Sequence, residues 1–262
     1  MNIWEAFEQD CTTYLNKQFG NFATFTHQGG ADSTTPDIFV ATTSGKRFFM
    51  EAKHCPAQCG QFVLHPNLSS RKFEYSHLNI NTLNEFSHII IQHMNRDFEA
   101  FCNAGTKGKD IYFEGCEEIF AKWIIQANEA KGVKFFISNC FTILKLEDFN
   151  KYFSISAKYR TKKSGSSDVG KNRHNSVLSY IVSNHMPILQ SRIDGDKLFI
   201  TSSINLNNQK FFVNNNEYMF SKRENEYEIR KLSKTKNANV IFSITKKDVI
   251  GISENEFIDY LK

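Results

Sequence analysis

No run of about 18 apolar residues occurs in the chain, which excludes a membrane-spanning helix. Met1-Asn2-Ile3-Trp4-Glu5 is not a basic stretch followed by an apolar core, so no secretory signal is expected and the cytoplasm is the expected compartment. There is no internal repeat and no long low-complexity segment, which excludes stacked-repeat architectures. The six cysteines (Cys11, Cys55, Cys59, Cys102, Cys116 and Cys140) are scattered and not spaced as a disulfide framework, so reduced thiols are expected. Cys55 and Cys59 beside His54 raise the question of zinc. No second closely spaced Cys/His pair completes such a site, and ordinary cysteines near a turn are the expectation.

What is present is apolar mass: 40% hydrophobic residues, 25 of them Phe, in a chain of 262. That supports one large domain or a few small ones, with sheet-rich packing. Net charge is only +4, but it is unevenly spread. Residues 1–120 carry 9 Lys and Arg against 14 Asp and Glu, whereas residues 121–262 carry 23 against 14. A basic second half fits a polyanionic partner, and fits a solvated basic face equally well.

Apolar spacing predicts helices over 4–19, 83–101 and 116–124, and a capping box at Ser253 and Glu256 predicts a terminal helix. Strands are predicted at 37–41 and 47–51 around the Thr43-Ser44-Gly45 turn, at 133–138 and 141–146, and at 155–163. Short strands are predicted at 197–201, 210–213, 217–220, 226–232 and 239–244. The fold class is therefore α/β (α+β): a mixed sheet flanked by helices, then β-rich parts. Domains are expected over 1–150, 151–190 and 191–262.

The informative segment is Pro36-Asp37 followed, after thirteen residues, by Glu51-Ala52-Lys53. A turn centred on Ser44 sets Asp37 opposite Glu51, with Cβ atoms about 4.5–5.5 Å apart. Glu51 and Lys53 are two residues apart and share a strand face. Two close carboxylates suit a hard cation such as Mg²⁺, which takes one or two carboxylates plus water and phosphate oxygens. The Ala52 carbonyl is a further candidate ligand. Lys53 suits charge developing on a phosphate. Glu8, on the first helix, is a candidate outer-shell acid, although an ordinary exposed helix charge is the plainer reading of it.

Asp37…Glu51-Ala52-Lys53 resembles the active-site motif of the PD-(D/E)xK nuclease superfamily. Gln58–Leu64, Tyr159–Ser166 and the segment 237–244 resemble, more narrowly, the HhaI-like type II restriction endonucleases. The similarity spans most of the chain and thins over 165–215. It implies a PD-(D/E)xK catalytic domain over 1–150, a DNA sequence-recognition region over 151–190 and a DNA-binding domain over 191–262. It also implies a prokaryotic monomer, without an obligatory protein partner, that cuts double-stranded DNA at GCGC. Mg²⁺ would be the cofactor, with Mn²⁺ able to substitute and Ca²⁺ supporting binding without cleavage. A DNA methyltransferase of the same specificity would be its biological counterpart.

One face of the strand at 155–163 carries Lys158, Arg160 and Lys162, with Lys163 and Ser164 following. Reading guanine O6 and N7 takes Arg or Lys donors, so these residues are candidate DNA contacts. Gln61 is another, with Gln58 behind it. Ser33, Thr34 and Thr35 are candidate phosphate donors near Asp37. Two other readings stay open at this point: a repair or junction nuclease of the same superfamily, and a non-catalytic DNA-binding module.

Overall fold

The computed structural model describes residues 3–29, 35–161, 166–185, 187–232 and 238–262. They fall into two compact units: Met1–Arg160 with Ala238–Lys262, and Thr161–Asn237. No helix among the described residues is long and apolar enough to cross a membrane.

The first unit holds two sheets. One has the strand order Ala23–His27, Ile38–Thr42, Arg47–Lys53, Val133–Ser138, Thr142–Lys145. Its pairs are antiparallel except where Arg47–Lys53 runs parallel to Val133–Ser138. The hairpin register is the one that a turn at Ser44 dictates: Ile38 faces Met50, Phe39 faces Phe49 and Val40 faces Phe48. Gly45, at φ +93°, supplies the backbone conformation the turn needs.

Period-two alternation sends Ile38, Val40, Met50 and Ala52 to one side. There they pack on Cys11, Leu15 and Phe19 of the helix Ile3–Phe19 and on Phe257 and Leu261 of the helix Glu254–Leu261. The Ser253 hydroxyl caps that last helix, accepting from the Glu256 N–H at 3.2 Å. A fully buried leucine such as Leu15 anchors this layer, and its truncation to alanine costs roughly 2–5 kcal/mol.

The second sheet has the order Lys72–Tyr75, Ala57–Asn67, Ala238–Lys246, Phe153–Thr161, Lys109–Ile111. The helix Cys116–Glu129 joins its core to that of the first sheet, burying Phe120, Trp123 and Ile124 with Phe62, Phe242, Phe136 and Leu144. The Trp123 indole donates to the Ser87 hydroxyl at 3.0 Å, so its polar atom is not orphaned.

The second unit is an antiparallel sheet ordered Ile188–Asp194, Lys197–Ser202, Glu226–Leu232, Asn216–Arg223, Lys210–Val213, with Ser166–Ser167 beside Glu226–Leu232. The helix His174–Asn184 packs Val177 and Ile181 on it.

Several expectations are corrected. The boundaries do not fall near 150 and 190. Phe153–Arg160 stays with the first unit, and Ala238–Lys262 returns to it from the end of the chain. The reason is apolar alternation: Val240, Phe242 and Ile244 complete a core begun by Phe62 and Leu64. The helix expected over 83–101 is two helices, Glu85–Arg96 and Phe98–Cys102, broken at Asp97 (φ −122°, ψ 46°). Four-residue steps drift about 40° each around a helix. After Phe86, Ile90 and Met94, the break brings Phe98 and Phe101 back to the core. The strand Ala57–Asn67 and the helix His174–Asn184 were not foreseen.

Candidate active site

The hairpin and the parallel strand beside it carry the polar cluster. Phe39 and Phe49 lie on the sheet face opposite Met50 and Ala52, and Asp37, Glu51 and Lys53 continue that face. Asp37 directly precedes the strand Ile38–Thr42. Its backbone carbonyl accepts from the Gln28 N–H at 2.8 Å and the Gly29 N–H at 3.1 Å. Its carboxylate Oδ2 accepts from the Ala52 N–H at 2.8 Å and from Lys53 Nζ at 2.9 Å. Lys53 Nζ also lies 2.5 Å from Glu51 Oε2. On the parallel side, the Ser138 hydroxyl donates to the Lys53 carbonyl at 2.9 Å. Backbone bonds on both sides thus fix three side chains that the sequence separates.

The two acids are largely withdrawn from water, at 9% exposure for Asp37 and 7% for Glu51. Burial pushes the Glu51 carboxyl up; Lys53 opposes this and Asp37 adds to it. Burial pulls the Lys53 ammonium down, but Glu51 and Asp37 outweigh it, so the net shift is upward and the group stays charged.

Among the described residues no three His, Cys, Asp or Glu side chains converge. The donor set lining the open cleft includes the two carboxylates of Asp37 and Glu51. That set suits a small hard cation completing its shell with water and phosphate oxygens. The Lys53 ammonium bridges the two carboxylates. Of the residues that raised the question of zinc, His54 packs edge-on against Phe7, and the Cys55 sulfur accepts from Ser138.

Glu8 is buried beside this cluster and pairs with His27 at 3.1 Å. Burial and then the Asp37 charge push its carboxyl up, against His27 and Lys53. Gly29 passes so close that a Cβ there would lie 2.1 Å from Glu8 Oε2. His27 had no sequence signal of its own; it joins the site because it pairs with Ile38, beside Asp37.

A cleft of about 340 Å³ opens over the three residues and is also lined by Thr35, Gln58, Gln61, Trp123 and Lys131. Gln58 and Gln61 share a face because the strand Ala57–Asn67 carries a bulge: Gln61 pairs with Ile241 but Gln58 with Ser243. Gly60, at φ +111°, makes the bulge, and a Cβ there would lie 2.8 Å from the Trp123 ring. Gln61 Oε1 accepts from Gln58 Nε2 at 3.3 Å and from Asn239 Nδ2 at 3.1 Å. Asn239 was not foreseen, since its strand arrives from the far end of the sequence.

The expected alternation of the strand Phe153–Thr161 is present, with Ile155, Ala157 and Tyr159 buried and Ser156 and Lys158 exposed. Lys158 pairs with Asp110 at 3.3 Å. Arg160 Nε is buried with no hydrogen-bond partner among the described residues. Neither Lys158 nor Arg160 lines the cleft. Ser33, Thr34, Lys162, Lys163 and Ser164 lie outside the described residues.

No protein-family model and no curated protein sequence matches the chain. Among solved structures it is similar to the HhaI endonuclease in complex with DNA, at a TM-score of 0.73 and 35% sequence identity. The similarity covers 100% of this chain and 99% of that one. With 35% identity over an alignment that covers both chains, and the acid–acid–lysine cluster in its hairpin, the chain belongs to the family of HhaI-like restriction endonucleases.

Proposed function

We propose that the protein is a Mg²⁺-dependent type II restriction endonuclease that cuts double-stranded DNA at GCGC, leaving 5′-phosphate and 3′-hydroxyl ends. The observation that carries this reading is the meeting of Asp37, Glu51 and Lys53 at the mouth of one cleft. Asp37, Glu51 and the Ala52 carbonyl would hold the cation, with Mn²⁺ able to replace Mg²⁺ and Ca²⁺ supporting binding only. Bound there, the cation supplies Lewis-acid polarisation of the phosphate and lowers the pKa of water.

The protein's own part is positional and electrostatic. The Lys53 ammonium orients the attacking water and stabilises charge building on the phosphate oxygens. Attack by water at phosphorus forms the new P–O bond as the bond to O3′ breaks; the attacking water gives its proton to solvent, and O3′ takes one from solvent to leave as the hydroxyl. Glu8, held by His27, sets the field around Asp37 from behind and contacts neither cation nor substrate.

Gln61, Gln58, Thr35, Ser33 and Thr34 are suited to phosphates or base edges near the cut. Arg160, Lys162, Lys163 and Ser164 are suited to base reading and Lys158 to backbone attraction. The catalytic assignment falls on the first sheet, and Arg160 on the second; the lysine-rich unit Thr161–Asn237 would add attraction. The enzyme acts as a monomer, paired biologically with a methyltransferase of the same specificity.

Plasmid DNA incubated with the protein and Mg²⁺, with the ends mapped by sequencing, tests the reading. Discrete fragments ending within GCGC are expected. Absence of cleavage, or random degradation, defeats it.

A further inference from the structure

The rim of the cleft carries an apolar pair that the hydrolytic chemistry does not use. Leu78 and Ile80 both line the cleft that holds Asp37, Glu51 and Lys53, yet they are 74% and 64% exposed. The segment from Ser76 to Asn84 contains no Asp, Glu, Lys or Arg. Exposed aliphatic side chains are ordinary when single; two on one short turn beside a binding cleft mark a contact surface.

The turn is built to hold them there. Asn79, between the two, uses its side chain as a substitute for a strand: Oδ1 accepts from the Val63 N–H at 2.7 Å and Nδ2 donates to the Val63 carbonyl at 3.0 Å. The Ser76 N–H donates to the same carbonyl at 3.1 Å, and the Leu78 N–H donates to the Ser76 hydroxyl at 3.2 Å. The Tyr75 hydroxyl donates to the Asn81 carbonyl at 2.8 Å. Tying Asn79 inward turns its two neighbours outward, and the bonds reduce the ordering cost of any contact they make.

We infer that this turn is a preformed apolar clamp for the bound duplex, with Leu78 and Ile80 packing on sugar and base surfaces beside the phosphate to be cut. The inference rests on the function proposed above and adds a contact that the catalytic residues do not require. Duplex DNA is the occupant because the pair is continuous with the cleft, and because the segment carries no acidic group to repel phosphates. Leucine and isoleucine are among the side chains that proteins wedge against base steps.

Apolar contacts release no counterions. They therefore add affinity without changing the slope of log K against log salt, unlike Lys and Arg contacts. The test uses the full chain, Ca²⁺ and a duplex oligonucleotide centred on GCGC, with fluorescence anisotropy across a salt series. Leu78→Ser with Ile80→Ser is expected to bind about tenfold more weakly at every salt concentration, with an unchanged slope and an unchanged melting temperature. Asn79→Ala keeps both apolar groups but frees the turn, and is expected to lose part of that affinity.

Wild-type affinity in the double variant overturns the inference, as does a loss that comes with a changed slope. Conversion of a dimer to a monomer at unchanged DNA affinity overturns it too, and makes the surface a contact between copies. If the wild-type protein binds no duplex, the proposed function fails and the clamp fails with it. If the wild type binds and the double variant matches it, the clamp alone fails.

Discussion

The Lys53 ammonium and the Asp37 carboxylate, sixteen residues apart in the chain, meet at 2.9 Å. The same ammonium touches Glu51, so one cation bridges two buried acids. Removing it leaves those acids facing each other with little water. Lys53→Ala is therefore expected to destabilise the metal-free protein by roughly 1–3 kcal/mol. Ca²⁺ should raise the melting temperature of the variant more than that of the wild type, because the cation takes over the lost charge. Thermal melts with and without Ca²⁺ measure this, and equal Ca²⁺ responses would contradict it.

Gly60 governs how the glutamines are aimed. Its positive φ is strained for any L side chain, and a Cβ would strike the buried Trp123 ring at 2.8 Å. Gly60→Ala is expected to cost about 2–3 kcal/mol, read by denaturant unfolding. It should also slow DNA cleavage by more than the lost folded fraction explains, since Gln58 and Gln61 are displaced with the bulge. A melt within experimental error of the wild type would mean that the bulge tolerates a side chain.

What the sequence made legible follows from range. The hairpin of Asp37 and Glu51 is local: a turn at Ser44 and alternation with period two determine its register, and Phe39 does face Phe49. The strand 155–161 and the Ser253 cap were readable for the same reason. Partners of distant strands were not. Ala238–Lys246 pairs with Ala57–Asn67 across some 180 residues, and apolar alternation says that a strand exists without saying where it docks. Asn239 was invisible as a site residue for that reason, and His27 because its short strand Ala23–His27 carries too little apolar alternation to be read. Asn79 was hidden differently, since a side chain that completes a strand's hydrogen bonds looks like any loop asparagine.

The unit Thr161–Asn237 should show acid sensitivity traceable to Glu228. Burial raises this carboxyl, but hydrogen bonds and charge from Arg223 and Arg230 outweigh it, so its folded pKa lies below the ordinary value. An acid depressed in the folded state contributes stability above its unfolded pKa, near 4.3, and loses it as pH falls through the folded pKa. Glu228→Gln is expected to cost roughly 1–2 kcal/mol at pH 7, with the deficit closing below about pH 4. Urea midpoints of both proteins at pH 7 and pH 3.5 give the comparison. A deficit that persists unchanged at the lower pH would assign the loss to packing and not to charge.

Lys158 and Arg160 share one face of a strand, but their surroundings differ, and so should their roles under the proposed function. Lys158 is exposed and already paired with Asp110, a geometry suited to sequence-independent attraction. Lys158→Ala should weaken binding to cognate and scrambled duplexes alike, lowering the salt slope by at most about one. Arg160 keeps a buried Nε without a partner among the described residues, a donor that a specific acceptor on bound DNA would satisfy. Arg160→Ala should weaken cognate binding selectively, narrowing the gap to a single-mismatch site by roughly 1–3 kcal/mol. Anisotropy titrations with GCGC, a one-base variant and a scrambled duplex distinguish the two. If Arg160→Ala weakens all three equally, it holds the backbone, and base reading falls to other residues.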